Sequence, residues 1–261
     1  MNSDKLEKVV AQVAEVAGYL WQNGWAERNG GNISYNITEF ADEFSGLKPL
    51  CAPVAIGNKV SRIAGGHFLV TGTGKRMRYV AADPWENASV IRVSEDAEHY
   101  EIIARKPIAP TSELPSHLMI HDFLQESRPQ YKAVVHTHPI ELVAMSHNPE
   151  FLRKDVLTHL LWSMIPETRA FCPKGLGIVP YTLPGSVRLA KATLEQLAEY
   201  DVVMWEKHGV VAVGPDLIEA FDMVDTLSKS AKIYRDARSM GFMPEGMSDT
   251  QMNELKEAFN L

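Results

Sequence analysis

The segment AVVHTHP, Ala133 to Pro139, sets the reading of this chain. Three small or branched apolar residues lead into two histidines separated by one threonine. Strand geometry repeats every two residues, so His136 and His138 project from the same face, while the apolar run marks a strand buried in a sheet. Two imidazoles converging in this way suit a borderline metal such as zinc, which binds nitrogen at roughly 2.0–2.1 Å. Taken alone, the segment is equally an exposed strand face carrying two polar residues.

Working outward, a catalytic metal needs a third protein ligand and an open position. The best candidate is His208 in WEKHGVVAVG, at the turn of a hairpin-like pair, beside Gly209, which permits close backbone approach. In isolation His208 is an ordinary turn histidine. Glu113 lies in APTSELPSH, where Thr111 and Ser112 can cap a helix predicted over 112–125 and leave its first N–H groups free for an anion. Glu113 itself is either a carboxylate favouring the positive helix end or a general base and displaceable metal ligand. Asn29-Gly30-Gly31-Asn32 and Thr71-Gly72-Thr73-Gly74-Lys75 are two further turns rich in backbone donors. Neither fits the Walker pattern or the dinucleotide GxGxxG fingerprint. The other six histidines (His67, His99, His117, His121, His147 and His159) read as surface or internally satisfied residues.

The remaining pattern alternates helices and strands. Leu6, Val9, Val10, Val13, Val16, Leu20 and Trp21 recur at helical spacing, predicting a helix over 4–23 that stops near Gly24. Strands are predicted at NISYNI, FLVTGTGK, ASVIRV, HYEIIA, GIVPY and on both sides of His208. Helices are predicted over 139–147, 153–162, from Pro184 to about Tyr200, and over 217–240, with a short one last. The stretch from Thr38 to Gly66 reads as irregular loop with short strand pieces. The fold class is α/β: a single domain, 1–261, with a mixed, largely antiparallel sheet flanked by helices.

Composition narrows the function. The formal charge is −7 with no basic stripe, which argues against a general nucleic-acid binder. No run approaches the ~18–20 apolar residues of a membrane helix, and the first residues lack the apolar core of a signal peptide. Two cysteines, Cys51 and Cys172, make no disulfide framework and read as free thiols of a cytoplasmic protein.

WAERNGGNIS, VTGTGK, PTSELPSH, VVHTHP and WEKHGV, in that order, resemble the class II aldolase/adducin family, over about Trp21 to Gly241. The resemblance implies a central, mainly antiparallel sheet with helices on both sides, and a cyclic homotetramer. It implies one zinc ion per subunit on His136, His138 and His208, with Glu113 as catalytic acid/base. It assigns phosphate binding to Asn32 with Gly31, Thr73 with Gly74, and Thr111 with Ser112, with Asn29 supporting that pocket. Glu167, in the looser segment SMIPET, matches an acidic residue reaching a neighbouring subunit's site. The implied reaction is retro-aldol cleavage of a phosphorylated ketose, releasing dihydroxyacetone phosphate and an aldehyde. The insertion from Thr38 to His67 aligns with no motif. Rival readings are an epimerase or a dehydratase on the same scaffold, and, from another class, an adducin-like binding module. Intact metal and acid/base positions weigh against the last.

Overall fold

The computed structural model describes residues 2–261. The N-terminal apolar stripe forms helix α1 (Asn2–Gln22), which buries Leu6, Val9, Val10, Val13, Val16, Ala17 and Leu20. Each of the leucines and valines is worth roughly 1.5–3 kcal/mol when removed from water. The chain then enters β1 (Asn32–Asn36), a 3₁₀ turn (Thr38–Phe44), the two-residue strand β2 (Val54–Ala55), a second 3₁₀ turn (Ser61–Ile63) and β3 (His67–Thr71). After α2 (Met77–Ala82) come β4 (Ala88–Val93), β5 (His99–Ala104), α3 (Leu114–Ser127), β6 (Ala133–Thr137), α4 (Ile140–Met145), α5 (Lys154–Met164) and α6 (Pro166–Phe171). The last third holds β7 (Gly177–Val179), α7 (Val187–Leu197), β8 (Val202–Trp205), β9 (Gly209–Gly214), α8 (Leu217–Ser239) and α9 (Asp249–Phe259).

Among the described residues, nine strands form one open sheet in the order β2-β5-β4-β3-β1-β6-β9-β8-β7. Every pairing is antiparallel except β7 with β8. Alternation sorts the side chains onto two faces. Ile33, Tyr35, Leu69, Ala133, Val135, Val210 and Ala212 join α1, α5 and α8 in one core. On the other face, Phe68, Val70 and Ile91 pack with Leu114 and Leu118 of α3, and Val134, Val203 and Val211 pack with α3 and α7. Strand β6 lies near the middle of the sheet with β1 and β9 beside it, so the ends of three neighbouring strands meet at its histidines.

Several elements depart from the expectations of the sequence. Helix α3 begins at Leu114, and neither Thr111 nor Ser112 is its N-cap: that position is Glu113, whose side chain makes no capping bond. Thr111 Oγ1 instead accepts from the Glu113 N–H at 3.3 Å. Helix α7 starts at Val187, because Ser186 caps it by accepting from the Leu189 N–H, leaving Pro184 outside. Glu167 sits on the short helix α6, which opens on Pro166, rather than in irregular chain. Helix α2 has no counterpart in the sequence reading. The stretch before β3 is more ordered than a loop: Ile56, Val60 and Ile63 pack on Leu114 and Leu118, and Arg62 binds Asp122 of α3 through backbone and guanidinium at 2.7 and 3.0 Å.

Candidate metal centre

His136 is the penultimate residue of β6, and His138 follows the strand's end with its backbone N–H donating to the Trp25 carbonyl at 2.9 Å. His208 sits in the tight turn joining β8 to β9, where its N–H donates to the Trp205 carbonyl at 3.0 Å and Lys207 takes a positive φ of 60°. One ring nitrogen from each histidine falls within 4.8 Å of the others. Gly209 makes this convergence possible. A Cβ there would meet the Thr137 carbonyl at 2.4 Å, His138 Cδ2 at 2.7 Å and His136 Cε1 at 3.2 Å.

Hydrogen bonds to Nδ1 orient the rings of His136 and His138. His136 Nδ1 faces the Val210 carbonyl at 2.8 Å, an acceptor only, so Nδ1 carries the proton. His138 Nδ1 likewise donates to the Glu27 carboxylate, at 2.8 and 3.0 Å to its two oxygens. The Nε2 atoms of the two rings are thereby turned toward one another, 3.2 Å apart. Two nitrogens that each lie ~2.0–2.1 Å from one tetrahedral ion are about 3.3 Å apart, so the spacing is that of a metal bite. His208 adds a buried Nδ1 that has no hydrogen-bond partner among the described residues. Burial holds the pKa of His136 well below the ordinary histidine value, with the neighbouring His138 and His208 acting in the same direction. Burial lowers that of His208 too, so these rings stay neutral and able to bind a cation. The set fits a divalent metal ion.

The cleft above these rings has a volume of about 350 Å³. It gathers His136, His138, His208 and Glu113 with Asn29, Gly31, Asn32, Thr73, Gly74, Thr111 and Ser112, three segments remote in sequence. Glu113 Oε2 lies 3.5 Å from His136 Nε2 and accepts from Asn32 Nδ2 at 2.8 Å. Gly31 turns the chain at φ +75°, where a side chain would also press on the His136 carbonyl at 3.0 Å. A bridge between Gly72 and Pro110 ties two of the loops together. It consumes the Thr73 and Thr111 N–H groups, in bonds to Ala109 and Thr71 carbonyls at 2.9 Å. Their hydroxyls, not those N–H groups, are what this wall offers a ligand. Glu167 is not part of the cleft; it is exposed on α6, next to the buried Thr168 and Arg169.

Four contributors escaped the sequence reading. Glu27 orients His138, and Arg28, at φ +47°, is the one basic side chain lining the cleft among the described residues. Both stand inside the WAERNGGN motif, beside the glycines that drew attention. His117 and His121 are buried and bonded to Ser34, with His117 reaching Asn32. Their spacing of four on α3, opposite the polar alternation Asn32, Ser34 on β1, was the available signal.

Residues 11–235 match the family model described as Class II Aldolase and Adducin N-terminal domain. The chain belongs to the class II aldolase and adducin family. Within this family it is 59% identical, over its whole length and 97% of the relative, to a rhamnulose-1-phosphate aldolase of Bacteroides thetaiotaomicron. Another protein of that name, from Enterococcus faecalis, is 34% identical over 97% of this chain and 91% of its own. Among solved structures, a sugar-phosphate aldolase from Thermotoga maritima superposes with a TM-score of 0.81 at 36% identity, covering 93% of this chain and all of that one. As a class II aldolase the protein is a lyase, with the open, mainly antiparallel sheet expected of the fold, and among its described residues no helix is long and apolar enough to cross a membrane.

Proposed function

We propose that this class II aldolase cleaves L-rhamnulose 1-phosphate to dihydroxyacetone phosphate and L-lactaldehyde. The observation that carries the reading is the full-length 59% identity to the Bacteroides rhamnulose-1-phosphate aldolase, held together with an intact three-histidine site. The ERNGGN and TSELP wording, the LW segment with Glu167 and the long insertion before VTGTGK favour this sugar over fuculose phosphate, while pentulose phosphate 4-epimerisation is the alternative that shares the metal and phosphate positions.

The metal is zinc, one per subunit, held by His136, His138 and His208. When bound it supplies Lewis acidity, polarising the ketose carbonyl and stabilising negative charge on its oxygen. The chain's own groups do the rest. Asn29, Gly31, Asn32, Thr73, Gly74, Thr111 and Ser112 seat the phosphate through hydroxyl, amide and backbone donors, with Arg28 adding charge. As the C3–C4 bond breaks, its electron pair passes to C3 and on to the C2 oxygen, and the C4 hydroxyl gives up its proton as that carbon becomes an aldehyde. Glu113 returns a proton to C3, a role worth about 10²–10⁴ in rate. Glu167 of a neighbouring subunit in a homotetramer takes the C4 hydroxyl proton; its exposure on α6, outside its own chain's cleft, supports an intersubunit role. Residues 1–261 act as one domain, in the cytoplasm, where Cys51 and Cys172 stay reduced.

The test is a panel of ketose 1-phosphates scored by dihydroxyacetone phosphate release. Rhamnulose 1-phosphate should exceed the fuculose and pentulose phosphates by at least about tenfold in kcat/KM, the scale at which one differing contact discriminates. Equal rates on all, or epimerisation without release, would defeat the assignment.

A further inference from the structure

Behind Glu113 lies a row of four buried polar side chains, of which the proposed reaction uses only Asn32, at the phosphate. Asn32 and Ser34 project from β1 two residues apart, and His117 and His121 face them from α3 four residues apart. Ser34, His117 and His121 are each at most 2% exposed, and Asn32 is 7% exposed. Four polar groups in such a place cost free energy unless every bond is made in a consistent direction.

Only one direction is consistent. The Glu113 carboxylate accepts, so Asn32 presents its Nδ2 there, at 2.8 Å. This turns Asn32 Oδ1 toward His117 Nε2, which must then carry the ring proton. Burial lowers the His117 pKa to about 4, so the ring is neutral and its Nδ1 is bare. Ser34 Oγ therefore donates to His117 Nδ1 at 2.7 Å and is left to accept from His121 Nε2 at 2.8 Å. His121 Nδ1 ends the series as a lone pair without a partner among the described residues. Flipping the Asn32 amide would set its oxygen against the carboxylate.

We infer that Asn32, His117, Ser34 and His121 are positioning residues, a one-way series of donors ending on Glu113 Oε2 that fixes the orientation of this carboxylate in the cleft. The inference rests on the acid/base reading of Glu113. An amide cannot pass a proton along, so the series orients Glu113 without connecting it to solvent, and its proton is exchanged only on the cleft side. Aligned donors polarise one another, which gives the distant Ser34 and His121 leverage on a carboxylate they do not touch.

The experiment uses the metal-loaded enzyme and reads solvent exchange of the C3 proton of dihydroxyacetone phosphate, alongside kcat and KM for cleavage. His117→Leu removes the donor to Asn32 at similar volume; His117→Gln keeps an N–H in the Nε2 position. The Leu variant should lose roughly 10-fold in exchange and in kcat, as groups that orient a site residue typically do. KM and metal content should stay within about twofold, and the Gln variant should recover most of the loss. Wild-type exchange in the Leu variant overturns the inference. So does equal impairment of Leu and Gln, which would make the ring's packing the cause. Should His117→Leu fail to fold, Ser34→Ala decides: a severalfold loss of exchange at unchanged KM supports the series, and a wild-type rate refutes it. Glu113→Gln is run in parallel. If that variant exchanges normally, the acid/base reading itself fails, an outcome separable from failure of the positioning series alone.

Discussion

Gly209→Ala is a one-carbon change whose cost is set by the geometry around it. The added Cβ would stand 2.4 Å from the Thr137 carbonyl and 2.7 Å from His138 Cδ2, where ordinary contact begins near 3.4 Å. Relief requires a movement of about 1 Å between β9 and the end of β6. Neither side yields easily, since Thr137 pairs with Val210 in the sheet and its hydroxyl donates to the Trp25 carbonyl at 2.8 Å. Overpacking of this kind costs about 1–3 kcal/mol, and each kcal/mol lowers Tm by roughly 2–4 °C in a chain near this size. The metal site suffers more, because its ligand distances tolerate only about ±0.2 Å. Metal affinity should drop by about 10–100-fold or more while the fold survives. Competition of the metal-free protein against a chromophoric chelator measures the affinity, and thermal melting followed by circular dichroism measures the fold. A variant that binds metal within threefold of wild type and melts at the same temperature would refute the claim that Gly209 is required by close approach.

Other outcomes follow from the same geometry. Glu113→Gln should lower turnover by roughly 10²-fold or more with metal retained, since its carboxylate is not one of the three ring ligands; elemental analysis beside dihydroxyacetone phosphate release checks both halves. Mixing Glu113→Gln and Glu167→Ala chains should restore activity that neither has alone, and no rescue in verified mixed oligomers would remove Glu167 from the neighbouring site. Stability should depend on pH through His117 and His121, whose pKa values burial holds below the ordinary 6.5. The unfolded chain then binds more protons than the folded one below about pH 6.5, so stability rises with pH there and is lost on acidification toward pH 4. Urea midpoints of the metal-free protein at pH 7 and pH 5 test this, and a midpoint that did not fall would contradict it.

His136 and His138 stand out locally because period two in a strand is a short-range signal, and His208 at a hairpin turn is a weaker one that gains weight only beside them. Helix α1 is legible in the same way, its apolar residues recurring at helical spacing from Leu6 to Trp21, about four turns. What the sequence hid depends on which distant segments meet. His117 and His121 look like unremarkable helix residues until β1 is laid against α3, and Glu27 looks like a loop carboxylate until His138 is placed beside it. The stretch before β3 carries prolines and glycines and reads as loop, yet Ile56, Val60 and Ile63 fasten it to the helix that bears Glu113. Helix boundaries erred where capping chemistry decided them: Ser186 outcompetes Pro184 as a start signal because its hydroxyl satisfies the Leu189 N–H.

The hydrogen bonds that orient His136, Glu113 and His138 join residues 74, 81 and 111 positions apart. A chain that has formed only its helices and hairpins therefore lacks the complete three-histidine site. Closure of such distant pairs comes late in folding, after the entropy of long loops has been overcome. A divalent ion then cannot act as a nucleus for this fold. It should leave the folding rate nearly unchanged and slow unfolding instead, with its whole stabilisation, about 4 kcal/mol at a thousandfold excess over Kd, appearing as a longer native lifetime.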